Sequence, residues 1–279
     1  MNVFEPFQFA FFRNGIVVAT LAGAICGLIG VYVVLRQMSY IGHGLSHSIF
    51  GGAAASAVLS VNFYLGAGLW GLLSALMIGR VARRGKIGSD AAIGVITTAS
   101  FAMGLALSNL FGQAKRSIDA VLFGSILGVA GADVIAVVGA GLLSVVVIYA
   151  CYRQLLFATF DPEVADVSGV KVARMEALLM LMLATTILFT MKVMGVLLIS
   201  AMLVTPAATA RMMTNSFSRM LTIAPIIGAL CGFFGMLVSY HIDVSPGATI
   251  ILFASATFLV VFTVTGSRGR RNVGGLGHH

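Results

Sequence analysis

Two histidines, His43 and His47, stand four residues apart in the apolar stretch YIGHGLSHSIFGGAAASAVL. On a helix that spacing puts both imidazoles on one face, one turn apart. Imidazole is the commonest ligand for borderline divalent metals, and an ionisable group inside a membrane-length apolar run is costly enough to imply a use. The pair lies one residue from HExxH, where the Glu takes the proton from a metal-bound water. Here Gly44 holds the Glu position, and no acid occurs between Glu5 and Asp90. Ser46 cannot replace a carboxylate base, so metal binding survives in the pattern and hydrolysis does not. One such histidine could simply bond a neighbouring carbonyl. Two on one face, among Gly and Ala that let other helices approach, read as ligands of an open site suited to an ion in transit.

Nucleotide chemistry is excluded on similar grounds. The nearest approach to a phosphate-binding loop, Gly79-RVARR-Gly85-Lys86-Ile87, has five residues between its glycines and Ile where magnesium needs Ser or Thr. A second cluster, Tyr240-His241-Ile242-Asp243, has two readings. His241 and Asp243 could collect a cation or meet a delivery protein in an outer loop, or Asp243 could cap the turn before Pro246-Gly247. Pro206, in LVTPAATAR, should kink or break its helix, as a gate or merely in packing.

The elements that position these residues must cross a membrane. Of 279 residues, 59% are hydrophobic and 9% charged, with a mean hydropathy of +1.04; soluble domains carry about a quarter charged residues. The net charge of +8 is topology information, because the basic residues sit at the ends of apolar runs, and it calls for no nucleic acid. Cys26, Cys151 and Cys231 form no CxxC and read as small buried hydrophobes. The first apolar run is too long for a signal peptide and reads as the first span.

A bilayer core needs about 20 apolar residues per helix. On that measure nine crossings are expected, near 15–35, 41–61, 64–81, 90–110, 133–152, 176–191, 193–210, 220–239 and 247–265, as one all-α transmembrane domain over the whole chain. A shorter apolar piece, 119–130, reads as re-entrant or peripheral, and the tail from about 267 as flexible, its terminal histidines left out of the site. With the N-terminus outside, thirteen of the 17 basic residues fall on the inner side, and Arg13, Lys115, Arg116 and Lys192 on the outer. The C-terminus then lies inside. The longest inner loop, 153–175, contains Asp161-Pro162-Glu163: a cap, a proline at the first helical position and an acid in the first turn. It reads as a short amphipathic helix that docks a partner, or as a plain solvated loop.

The stretches LRQMSYIGHGLSHSIFGGAAA, SIDAVLFGSILGV, FDPEVADVSGVKVAR and MKVMGVLLISAMLVTPAATAR together resemble the ABC-3 permease family, the membrane subunits of bacterial zinc, manganese and iron importers. The resemblance implies a type II ABC importer-like bundle in the bacterial inner membrane. It would pair with a second copy of itself, a cytoplasmic ABC ATPase dimer that hydrolyses the ATP, and an extracytoplasmic metal-binding protein. It also implies that Phe160, Asp161, Pro162, Glu163, Asp166, Gly169 and Val170 belong to the segment that seats in the ATPase. Family members commonly carry an acid where His43 stands, and imidazole in place of a hard oxygen shifts the expected cargo from manganese towards zinc. A proton-driven secondary carrier is the competing expectation. It is disfavoured because Asp90, Asp119, Asp133 and Glu176 lie at segment ends instead of forming a relay inside. A non-transporting scaffold would leave the paired histidines and the acidic loop without a role.

Overall fold

A computed structural model of the chain describes residues 5–83, 89–111 and 129–273. Among them it forms a 3₁₀ turn at Glu5–Gln8 and eleven α-helices, with no strand. The helices are α1 (Ala10–Leu35), α2 (Ile41–Val58), α3 (Phe63–Arg83), α4 (Ser89–Phe111), α5 (Gly131–Ala150), α6 (Tyr152–Phe160), α7 (Pro162–Val167), α8 (Val172–Met194), α9 (Val196–Met213), α10 (Phe217–Ile242) and α11 (Pro246–Val273). An all-helical result is what lipid demands, since a helix satisfies its own backbone polar groups.

Seven helices (α1, α3, α4, α5, α8, α10 and α11) are long and apolar enough to cross a bilayer. The two other expected spans, α2 and α9, are helices of 18 residues each. They carry His, Ser, Thr or Pro and are mostly enclosed by protein, where composition need not match lipid. The 119–130 segment lies outside the described residues up to 128.

Helix α1 is the hub. In its apolar window 78% of residues are buried, against 22–44% for the other six. It packs against α10 along a seam of small residues: a methyl group added at Gly23 would overlap the Gly228 carbonyl, one at Gly27 the Ala224 carbonyl, and one at Gly232 the Ala19 carbonyl. The rising numbers on one helix meet falling numbers on the other, so the two run antiparallel. Gly30 opens the same kind of contact to Leu203 of α9. Lipid offers no hydrophobic drive between helices, and close backbone approach supplies dispersion contact in its place.

The two ends of the bundle are distinguished by their locks. At one end Phe12 meets Tyr240 edge to face at 5.2 Å, and the Tyr64 hydroxyl donates to Asp133 Oδ1 at 2.7 Å. Asp133 Oδ2 also accepts from the Ala130 N–H at 2.8 Å, closing the start of α5. At the other end Arg36, just past α1, donates through Nη2 to the Ala158 carbonyl (3.0 Å) and through Nε to Thr159 Oγ1 (3.2 Å). Its Nη1 lies 3.7 Å from Glu176 Oε1 at the start of α8, and the side chain is 8% exposed. Burial lowers the Arg36 pKa from its ordinary value while Glu176 raises it; a guanidinium stays protonated throughout.

Four boundaries differ from expectation. The division placed at Lys192 falls at Gly195, whose φ of 80° ends α8, its N–H bonded to the Met191 carbonyl. Pro206 does not break its helix: α9 is continuous from 196 to 213 and Pro206 is buried within it. A helix interrupted by a left-handed glycine next to it has no need of a second break. Residues 152–160 of the expected loop form a helix of their own, so the segment is a pair of helices instead of one. The terminal helix runs to Val273, beyond the onset expected for a flexible tail.

The seam gives a direct test. Gly228→Leu should overpack the α1–α10 contact, at a cost of about 1–3 kcal/mol, and lower the melting temperature of the detergent-purified chain by several degrees. Gly139→Leu, where an added Cβ meets nothing within 4 Å, should leave it unchanged in the same scan.

Candidate metal site

Helix α2 starts at Ile41, five residues beyond the Arg36 junction, so His43 lies in its first turn and His47 in its second. Both are therefore close to the Arg36 end of the bundle. Ser46 Oγ donates to the Gly42 carbonyl at 2.6 Å, which satisfies the one hydroxyl between them. The two Nε2 atoms are 3.0 Å apart, the ring centroids 4.4 Å apart and the planes nearly perpendicular at 80°. The expected pairing on one face is thus present. His43 is exposed and His47 half-buried. The buried His47 Nδ1 has no hydrogen-bond partner.

Helix α4 supplies the opposite wall. Gly44 makes this possible, because a Cβ there would lie 2.6 Å from Ile93 Cγ2 and 2.8 Å from Thr97 Cγ2. The space left between the helices is a cavity of about 360 Å³ bordered by Tyr40, His43, His47, Asp90, Thr97 and Phe101. The Phe101 ring stands edge-on to His47 at 4.7 Å and against Phe50 at 5.2 Å. The two Nε2 atoms face each other at hydrogen-bond distance, close enough for a single ion to bond both. At Zn–N distances of about 2.0–2.1 Å, a 3.0 Å separation subtends roughly a right angle, nearer the octahedral angle than the tetrahedral one.

The docking segment forms as the residues predict at its start. Asp161 caps α7, its Oδ1 accepting from the Val164 N–H at 2.9 Å, with Pro162 at the first helical position and Glu163 in the first turn. Its end was not anticipated and explains two residues. Gly169, at φ 83°, donates to the Asp166 carbonyl (3.0 Å), and Val170 donates to the Ala165 carbonyl (2.9 Å). These are the paired bonds of a Schellman motif, which needs a left-handed residue at that place. Ala165 is buried, while Phe160, Val164 and Val167 are exposed, Val167 at 91%, beside the acids Asp161, Glu163 and Asp166. The segment thus exposes apolar side chains next to carboxylates.

The second expected cluster is not brought together. His241 ends α10 with its Nε2 buried and without a hydrogen-bond partner. Asp243 caps that helix in the left-handed conformation, at φ 53°, exposed to solvent. No ion pair joins the two among the described residues. The three cysteines are free thiols, with Cys26 and Cys231 buried.

Sequence reasoning missed Asp90 and Phe101 as neighbours of the site, and Arg36 as the tie between α1, α6 and α8. Asp90 and Phe101 lie more than forty positions from His47, and only the packing of α4 on α2 unites them. A lone Arg at the end of an apolar run reads as a topology signal, so nothing marked Arg36 as a buried, bonded side chain.

Residues 8–265 match the ABC 3 transport family. The chain is 35% identical over 264 residues to the manganese transport system membrane protein MntC of Halalkalibacterium halodurans, covering 94% of this chain and 90% of that one. It is likewise 35% identical to the manganese import system permease protein ScaB of Streptococcus parasanguinis, over 98% of this chain and 96% of the relative. Among solved structures, PsaBC from Streptococcus pneumoniae in complex with Fab superposes with a TM-score of 0.83 at 35% identity, covering 93% of this chain and 94% of that one. With its helices and nearly its whole length accounted for, the chain belongs to the ABC 3 transport family and is a multi-pass permease of metal-importing ABC systems.

Proposed function

We propose that this permease carries a divalent transition metal into the bacterial cytoplasm, with His43 and His47 holding the ion in passage. The observation that carries the reading is the pair of Nε2 atoms 3.0 Å apart on the wall of a cavity. Two protein ligands leave the rest of the coordination shell to water or to a second copy of the chain, so the ion is held without being trapped. Two copies form the path, a cytoplasmic ABC ATPase dimer supplies the ATP hydrolysis, and an extracytoplasmic metal-binding protein delivers the ion. His241 and Asp243, at the end opposite Arg36, are the residues proposed to meet that protein; Pro206 is assigned to packing.

Nine crossings with the N-terminus outside support this arrangement best. They set thirteen basic residues inside, and the Arg36 bonds tie the inner end of α1 to the segment that docks the ATPase. The docking surface is α7 with Phe160, Asp161, Pro162, Glu163, Asp166, Gly169 and Val170.

Manganese is the first cargo to consider, since the relatives above are named for it and a near-right-angle nitrogen pair suits octahedral coordination. Zinc is the second reading, favoured by a specific feature: imidazole at position 43, where an acid is usual in the family.

Three measurements test the reading in vesicles containing the permease and its ATPase. His43→Ala with His47→Ala should cut metal uptake to less than about a tenth while the ATPase still co-purifies; full uptake would end the site assignment. His43→Asp should raise manganese uptake relative to zinc by about tenfold, read by competition, and an unchanged ratio would remove His43 from metal choice. Val167→Asp should weaken ATPase binding by about tenfold or more in a titration, with Val167→Ile near wild type.

A further inference from the structure

We propose that Asp90 is a third metal-handling residue, a carboxylate at the mouth of the cavity that receives the ion from the histidine pair. The inference rests on the reading of His43 and His47 as ligands and extends it along a path.

The register between α2 and α4 places Asp90. Gly44 faces Ile93 and Thr97, and Gly51 faces Ser100 and Gly104. The helices therefore run parallel, each α4 residue lying level with the α2 residue about fifty positions earlier. Asp90 is level with Tyr40, roughly one turn or ~5 Å beyond His43 towards the Arg36 end of the bundle. Thr97 is level with His47. Asp90, Gly94, Thr97 and Phe101 follow the three- and four-residue spacing of one helix face, and all four border the cavity with the histidines.

The two ends of that cavity differ in chemistry. At the far end the Phe101 ring covers His47 and meets Phe50 beside Thr97 and Thr98, and no acid borders the cavity there among the described residues. At the near end Tyr40, His43 and Asp90 are exposed. An ion released by the imidazoles meets an aromatic wall in one direction and a carboxylate in the other. A negative charge at a low-dielectric mouth favours a departing dication over water alone.

The ordinary role for an acid at this position is to serve the amino end of its own helix. Yet no hydrogen bond or ion pair engages the Asp90 carboxylate among the described residues, whereas Asp133, in the first turn of α5, and Asp161, the cap of α7, each accept a backbone N–H. The carboxylate is left for something else. His43, His47 and Asp90 do not close on one point, as no group of three such ligands does among the described residues. The ion is therefore handed on in sequence, from two imidazoles to one carboxylate and then to water. A single exposed carboxylate holds a hydrated divalent ion weakly, which suits an exit.

The test compares binding with uptake, using Mn²⁺ alone and Zn²⁺ alone as probes on the permease–ATPase complex. Asp90→Asn keeps the shape and removes the charge; it should cut initial uptake in vesicles about tenfold or more, with equilibrium metal affinity of the purified complex within about threefold of wild type. Asp90→Glu should restore at least about half of the uptake. Asp90→Ser serves as the second neutral variant should Asn prevent assembly. Uptake by the neutral variants within twofold of wild type would overturn the proposal. Equal loss of affinity and uptake would do so too, since Asp90 would then share the histidines' shell. Failure of the underlying reading looks different: the double histidine variant would itself transport at the wild-type rate.

Discussion

Everything in this bundle depends on how closely α1 can approach α10. In lipid two helices gain nothing by hiding apolar side chains from water, so their association rests on backbone contact and packing. Gly23, Gly27, Gly228 and Gly232 remove the side chains that would hold the two apart. With α1 fixed, Gly30 admits α9, and Gly42 of α2 in turn rests on Leu203 and Ser200 of the same helix. The histidines are thus positioned by a chain of small-residue contacts that begins two helices away. Side-chain hydrogen bonds add little to that chain, because most hydroxyls in it bond back to the carbonyl four residues earlier on their own helix, as Ser46 and Ser56 do.

Arg36 gives the bundle a long-range polar tie at the end opposite Phe12. A buried guanidinium is costly unless its donors are used, and here one group meets a carbonyl, a hydroxyl and a carboxylate from two places in the chain. Those places are the end of α6, just before the Asp161 cap, and the start of α8. The same residue terminates α1 and leads, after five residues, into the helix bearing His43. Arg36 thus links the end of α6, which leads into α7, to the turn ahead of the histidines.

The sequence disclosed most of the fold because lipid imposes one rule on every residue it touches. Among the described residues a helix lies at each of the nine apolar runs marked, seven of them long and apolar enough to cross a bilayer, and the cap at Asp161 formed as Asp-Pro-Glu requires. What it concealed depended on partners distant in the chain. Pro206 looked like the breaker because proline lacks a donor, yet Gly195 ends the helix, since a left-handed φ stops the helical path outright while a missing N–H only thins it. The pairing of His43 with His47 was legible from spacing alone. Asp90 was legible only as the end of a segment, and its approach to the histidines depends on Gly44 and Gly51 seating α4 in a particular register.

The open question of cargo reduces to how many oxygens join two nitrogens. A pair of imidazoles by itself favours metals later in the Irving–Williams order, zinc above manganese. Selectivity within a transport path, however, is set by what moves on as much as by what binds. An ion held too firmly at His43 and His47 would stop there, so the tighter-binding metal is not automatically the better cargo. The aromatic wall at Phe101 and the exposed mouth at Asp90 make the site asymmetric in this conformation. A metal that exchanges nitrogen for oxygen ligands readily, and keeps several waters while doing so, passes such a site faster than one that prefers a closed nitrogen shell. On the proposed reading of His43 and His47 as ligands, imidazole at position 43 is compatible with manganese, because the proposed carboxylate one turn away would supply the oxygen chemistry needed for release.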